Sequence, residues 1–125
     1  MIAIVDYGMG NLGSVEKALW YVGADCIVTS SPADVQAAEA VVLPGVGAFD
    51  DCMAGLREKG LVRPILEAIE QRKPFFGICL GLQVLFERSE EACRETGLGL
   101  FKGRLHQLLI GFRYVLIVAE AYDVD

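Results

Sequence analysis

"PFFGICLGLQ", residues 75–84, sets a cysteine between two glycines at the point where an apolar run stops and a helical pattern begins. Gly77-Ile78-Cys79-Leu80-Gly81 has the G-x-nucleophile-x-G form of a nucleophile elbow, with cysteine in the place of serine. The flanking glycines permit the tight strand-to-helix turn that exposes the side chain. A helix N-terminus aimed at the sulfur favours its anion. The competing explanation is that Gly77 and Gly81 only let a strand and a helix pack closely, and the motif alone does not choose between them.

An elbow needs a strand before it and a helix after it. "FFGI" (75–78) reads as that strand, and Leu80, Val84, Glu87 and Arg88, with Leu82, Leu85 and Phe86 apolar, predict the helix. Upstream, "IAIVDY" (2–7), "DCIVTS" (25–30) and "AVVLPG" (40–45) are short β-branched runs of the kind found in buried parallel strands. Between the first two, Leu12, Val15, Leu19 and Val22 recur at helical spacing, and Gly23 stops the helix. Ser31 before Pro32, with Asp34 three residues on, predicts a capping box and a short helix. The stretch 50–72 is helical in two pieces divided near Gly60, and Lys73-Pro74 closes it. "RYVLIVA" (113–119) predicts one more strand. Strand and helix alternating in this way imply βαβ crossovers, so the expected fold is α/β, a doubly wound, mostly parallel, flavodoxin-like sheet with helices on both faces.

Size and composition fit that architecture. The chain has 125 residues, 54% of them apolar and 22% charged, enough for one globular domain with a buried core. A net charge of −6 without a dense Lys/Arg run argues against nucleic-acid and anionic-membrane partners. Met1 runs straight into a strand pattern, and Arg113 interrupts the apolar stretch 108–119, so neither a leader nor a membrane span is expected and the protein should be cytoplasmic. Cys26, Cys52, Cys79 and Cys93 lie far apart and the chain has a single histidine, His106. That spacing suits neither a zinc site nor a disulfide framework, and nothing else calls for a cofactor.

Open parallel sheets bind ligands at the carboxyl ends of their strands. "DYGMGN" (6–11), "LPGVGAF" (43–49) and "GICLG" (77–81) all fall there. A Pro-Gly-x-Gly loop beside the elbow can turn backbone N–H groups toward an oxyanion near the sulfur. Alone it would be an ordinary turn, but with the elbow it favours a thiol acyl-transfer site.

"DYGMGN" (6–11), "VLPGVGAF" (42–49) and "PFFGICLGLQ" (75–84) closely resemble the glutaminase subunits of imidazole glycerol phosphate synthase, a branch of the class I (triad) glutamine amidotransferases, and the resemblance covers residues 1 to about 104, through "RETGLGLFKGR". The resemblance implies hydrolysis of L-glutamine through a thioester on Cys79, with the backbone of Gly45, Val46 and Gly47 serving the oxyanion. It implies substrate contacts from Gln83 and Glu91: an amide suited to the α-carboxylate or the amide, and a carboxylate suited to the α-ammonium. It places Asn11 on a loop facing the cyclase subunit, a (β/α)8 barrel that receives the ammonia for histidine biosynthesis. No cofactor is implied.

The resemblance also requires a general base, a histidine held by a glutamate as H-x-E. Here His106 is followed by Gln107 and Leu108, and from about Leu105 onward "LHQLLIGFRYVLIVAEAYDVD" departs from the pattern. The expected organisation is therefore a single, partial amidotransferase domain over 1–125 with a divergent tail at 105–125. Besides a glutaminase, that departure admits a non-catalytic truncated module of the same fold, and a thiol hydrolase using His106 as base.

Overall fold

The computed structural model of the 125-residue chain describes residues 1–79, 81, 84–89, 96–99, 101–105 and 116–119. Its main sheet is built from β1 (Ile2–Val5), β2 (Cys26–Thr29), β3 (Ala40–Gly45), β4 (Phe75–Cys79) and β7 (Leu116–Ala119), in the order β2-β1-β3-β4-β7. The first four strands pair in parallel, and β7 runs antiparallel along the outer edge of β4. The helices are α1 (Leu12–Tyr21), α2 (Pro32–Ala37), α3 (Phe49–Glu58) and α4 (Val62–Glu70).

Side-chain alternation along the strands sorts the core into two layers. Ala3, Val5, Val41, Leu43 and Phe75 face α2, α3 and α4, joined there by Phe49, Met53, Leu56 and Ile65, all essentially inaccessible to solvent. Ile2, Ile4, Val42, Phe76 and Ile78 face the other way, against Leu12, Val15 and Leu19 of α1. Helices therefore lie on both faces, as a doubly wound sheet requires. In α3 the buried apolar positions Phe49, Cys52, Met53 and Leu56 follow helical spacing, Asp50 and Asp51 occupy the positive end of the helix dipole, and Arg57 the negative end. Helix α1 is amphipathic too, but none of its residues is fully buried.

Two expectations fail in detail. Ser31 does not form the capping box: its side chain makes no cap hydrogen bond. The Thr29 hydroxyl, at the end of β2, instead donates to Asp34 Oδ2 at 2.6 Å and accepts from the Ser31 backbone N–H at 3.0 Å. The helix predicted from Leu80 onward does not extend through Glu87 and Arg88, which lie in strand β5 (Phe86–Ser89). Strand β5 pairs in parallel with β6 (Phe101–Leu105), another strand not foreseen, to form a separate two-stranded sheet. Local spacing could not reveal a partner about fifteen residues away; tertiary pairing overrides the helical pattern. Of the expected strand at 113–119, residues 116–119 form β7, and 113–115 lie outside the described residues.

Replacing Thr29 by Ala removes both bonds of the β2–α2 junction and should cost about 1–2 kcal/mol in urea unfolding. Ser31→Ala should stay within about 0.5 kcal/mol of the parent. A larger effect at Ser31 than at Thr29 would contradict the observed cap.

Candidate active site

The order β2-β1-β3-β4 reverses direction between β1 and β3, and sheets of this kind bind ligands outside the carboxyl ends of their strands at such a reversal. Three segments meet at this end. After β1, Gly8 donates its backbone N–H to Asp6 Oδ1 at 3.0 Å, an Asx turn that starts the loop to α1. The D-x-G spacing of Asp6 and Gly8 is the sequence signal for that turn. Gly10 then lies against Pro44, where a Cβ would meet the proline backbone at 3.7 Å. Asn11 is the exposed N-cap of α1, and its side chain makes no capping bond.

Strands β3 and β4 bring the next two segments side by side. Their register pairs Pro44 with Ile78 and Gly45 with Cys79, so both strands end at the same level. Gly45 is buried, whereas Val46 is 53% exposed and Gly47 turns with φ 98°. Met9 from the first loop covers that turn: a Cβ on Gly47 would approach Met9 Cε to 2.5 Å. The backbone of 45–47 is thus fixed at its start by the sheet and overlaid at its end by Met9.

Cys79 is half-buried and has φ 52°. Left-handed backbone at a non-glycine residue costs about 1–3 kcal/mol and persists only where its surroundings enforce it. The enforcing contact is two residues on. A Cβ at Gly81 would fall onto the carbonyl oxygen of Leu43, far inside any permitted distance, so only glycine lets the chain turn back across β3. The tight turn expected of an elbow is therefore present at Cys79, and Gly81 is helical. Close packing and sharp turning, posed above as competing explanations for the glycines, are one feature here: the approach at Gly81 makes the turn at Cys79.

The other thiols differ. Cys26 is buried in β2 and Cys52 in α3. Burial pushes the Cys52 thiol up to about 11, an effect the adjacent Tyr7 hydroxyl only partly offsets. Gln83, Glu91, Cys93 and His106 lie outside the described residues.

Comparison with known proteins adds the following. The family model described as "Glutamine amidotransferase class-I" matches residues 3–109. A protein of Thermosynechococcus vestitus named imidazole glycerol phosphate synthase subunit HisH is 62% identical over 104 residues, which is 83% of this chain and 49% of that protein. Proteins of the same name from Desulfitobacterium hafniense and Bacillus cereus are 55% identical over 84% of this chain and 50% identical over 90% of it, covering 50% and 54% of their own lengths. The chain thus spans about half the length of the curated relatives it matches. A crystal structure described as a glutamine amidotransferase superposes with a TM-score of 0.71 at 19% identity, over 85% of this chain and 56% of the other, a likeness of fold.

Gly81→Ala should destabilise the domain by about 3 kcal/mol or more, because the obstruction is backbone and cannot rotate away. Gly13→Ala, in α1 with open space around it, should instead stabilise by about 0.5–1 kcal/mol. Equal urea midpoints for the two variants would refute the close approach at Gly81.

Proposed function

This chain belongs to the class-I glutamine amidotransferases, and from that membership we propose that its site opens the side-chain amide of L-glutamine through Cys79. The sulfur attacks the amide carbon, the C–S bond forms, and the carbonyl electron pair moves onto oxygen. Collapse of that oxyanion breaks the C–N bond and expels ammonia, which leaves with an added proton. Water then adds to the thioester, glutamate departs, and the sulfur regains its proton.

The observation that carries this reading is Cys79 at φ 52° in register with Gly45. A nucleophile raised on a strained turn, beside the Gly45–Gly47 backbone, is what acyl transfer needs. The backbone of Gly45, Val46 and Gly47 receives the oxyanion; loss of one such donor typically costs 10²–10³ in rate, about 3–4 kcal/mol. Gln83 and Glu91 hold the polar ends of the amino acid. Ammonia passes to the cyclase subunit of imidazole glycerol phosphate synthase, with Asn11 on the loop that faces it. The setting is the cytoplasm, with no nucleic-acid or membrane partner.

Turnover also requires a proton carrier. The single histidine, His106, is followed by Gln107 and Leu108 and so lacks a carboxylate two residues on. A general base contributes about 10²–10⁴-fold. This chain by itself should therefore be acylated or alkylated at Cys79 by glutamine-like electrophiles yet release almost no glutamate from glutamine.

A chloroketone analogue of L-glutamine tests both parts. Its reactive carbon lies near the position of the amide, and its alkylation by sulfur needs no general base. Peptide mapping should find the adduct on Cys79 and not on the buried Cys26 or Cys52, with L-glutamine protecting and D-glutamine not. Labelling no more selective than iodoacetamide, or unprotected by L-glutamine, would refute the substrate assignment. Steady glutamate release abolished by Cys79→Ala would show that a base acts in this chain after all.

A further inference from the structure

Tyr7 belongs to the loop between β1 and α1, yet it is buried, in the same core layer as Phe49, Cys52 and Met53 of α3. The Cys52 thiol lies beside its hydroxyl, which finds no nitrogen or oxygen partner among the described residues. A hydroxyl buried in that way contributes nothing favourable, so the ring is what anchors the residue. Gly55, inside α3, receives it. A Cβ there would meet the Tyr7 carbonyl oxygen at 2.8 Å and the ring at 3.2 Å. Glycine weakens a helix interior, and the docking of Tyr7 accounts for its presence at this position. From that anchor the loop reaches both ends of the 45–47 segment: Gly10 lies against Pro44, and Met9 covers Gly47. The segment in turn runs into α3 at Phe49, the helix that holds Tyr7. Loop, segment and helix therefore close a circuit, and Tyr7 is its buried joint.

We propose that Tyr7 is a positioning residue for the acyl-transfer site: its ring, seated against Gly55 and Cys52, fixes the loop that carries Met9 and Gly10, and through them the backbone of Gly45–Gly47. The inference rests on the reading of that backbone as the oxyanion site. Tyr7 acts through the loop alone, and its hydroxyl takes no part. Backbone donors stabilise an oxyanion only if they are already aimed when charge develops, and small misplacements are costly. Gly45 is held by its pairing with Cys79, but the sheet ends there. Val46 and Gly47 lie beyond the last strand residue, so their aim depends on what the first loop and α3 press against them.

The test uses four variants of the full 125-residue chain. Tyr7→Leu keeps the position apolar but withdraws the ring, and Gly55→Ala presses on the loop from the α3 side. Tyr7→Phe removes only the hydroxyl. Val35→Ala, at a buried position of α2, lowers stability away from the loop. Amide resonances of Gly45, Val46 and Gly47 are read in the free protein, and then the dissociation constant of an aldehyde analogue of L-glutamine, whose adduct leaves an oxygen at the oxyanion position. Tyr7→Leu and Gly55→Ala should move those resonances and weaken the aldehyde roughly tenfold. Alkylation of Cys79 by iodoacetamide, which forms no oxyanion, should stay within about twofold of the parent. Tyr7→Phe should match the parent throughout, and Val35→Ala should lower the urea midpoint while leaving the resonances and the aldehyde affinity unchanged. Unmoved Gly45–Gly47 amides in Tyr7→Leu and Gly55→Ala, or equal movement in Val35→Ala, would overturn the inference and leave Tyr7 a core residue only. Tyr7→Phe behaving as Tyr7→Leu would overturn it too, by giving the role to the hydroxyl. A parent chain that fails to bind the aldehyde would refute the glutamine reading instead, while the amide resonances of the free variants would still decide whether Tyr7 sets the 45–47 backbone.

Discussion

Parallel pairing of β3 with β4 places Gly45 beside Cys79, and both ends of the site inherit their positions from that register. Parallel strands cannot be joined by a tight turn, so the register is held by the crossover between them, residues 46–74. Phe49, Met53, Leu56, Leu61 and Ile65 of that crossover are fully buried. Each such side chain contributes about 1.5–3 kcal/mol on leaving water, against about 1–3 kcal/mol of strain at Cys79. The hydrophobic layer beneath the sheet thus holds a conformation that residue 79 would not adopt alone. Shifting the pairing by one residue would move Leu43 and Phe75 out of that layer, so the same burial that stabilises the sheet also fixes the site.

The three described thiols differ in exposure through the same layering. Cys52 faces the core from α3 and is held in its neutral form by burial beside Tyr7. Cys26 is a core residue of β2. Cys79 alone of these three stands at a strand end with part of its surface exposed. What distinguishes it is position on the backbone, at the turn that the close approach of Gly81 to Leu43 permits.

Much of this was legible in the residues. Helix α1 starts at Leu12, where the spacing of Leu12, Val15 and Leu19 begins, and β3 occupies 40–45 as its β-branched run indicates. Gly81 marked the turn in the residues because only glycine tolerates the contact with Leu43 there, a constraint written into residue type. The rest depends on contacts distant in sequence. Thr29 rather than Ser31 serves the α2 junction because the end of β2 brings its hydroxyl between Asp34 and the Ser31 N–H. Val84 and Leu85 are buried in the core, and Phe86–Ser89 finds its partner only at 101–105, so helical spacing there misled. The contact of Met9 with Gly47 joins two loops almost forty residues apart and leaves no local signal.

The central claim is that the Cys79 sulfur and the 45–47 backbone form one acyl-transfer site. An aldehyde analogue of L-glutamine adds reversibly to a thiolate and leaves an oxygen where the oxyanion would form, so amide NMR of the ¹⁵N-labelled protein tests the claim directly. On adduct formation, amide protons within Gly45–Gly47 should move downfield as they donate to that oxygen, and the shifts should vanish in Cys79→Ala. An adduct on Cys79 that leaves those amides unmoved would contradict the account.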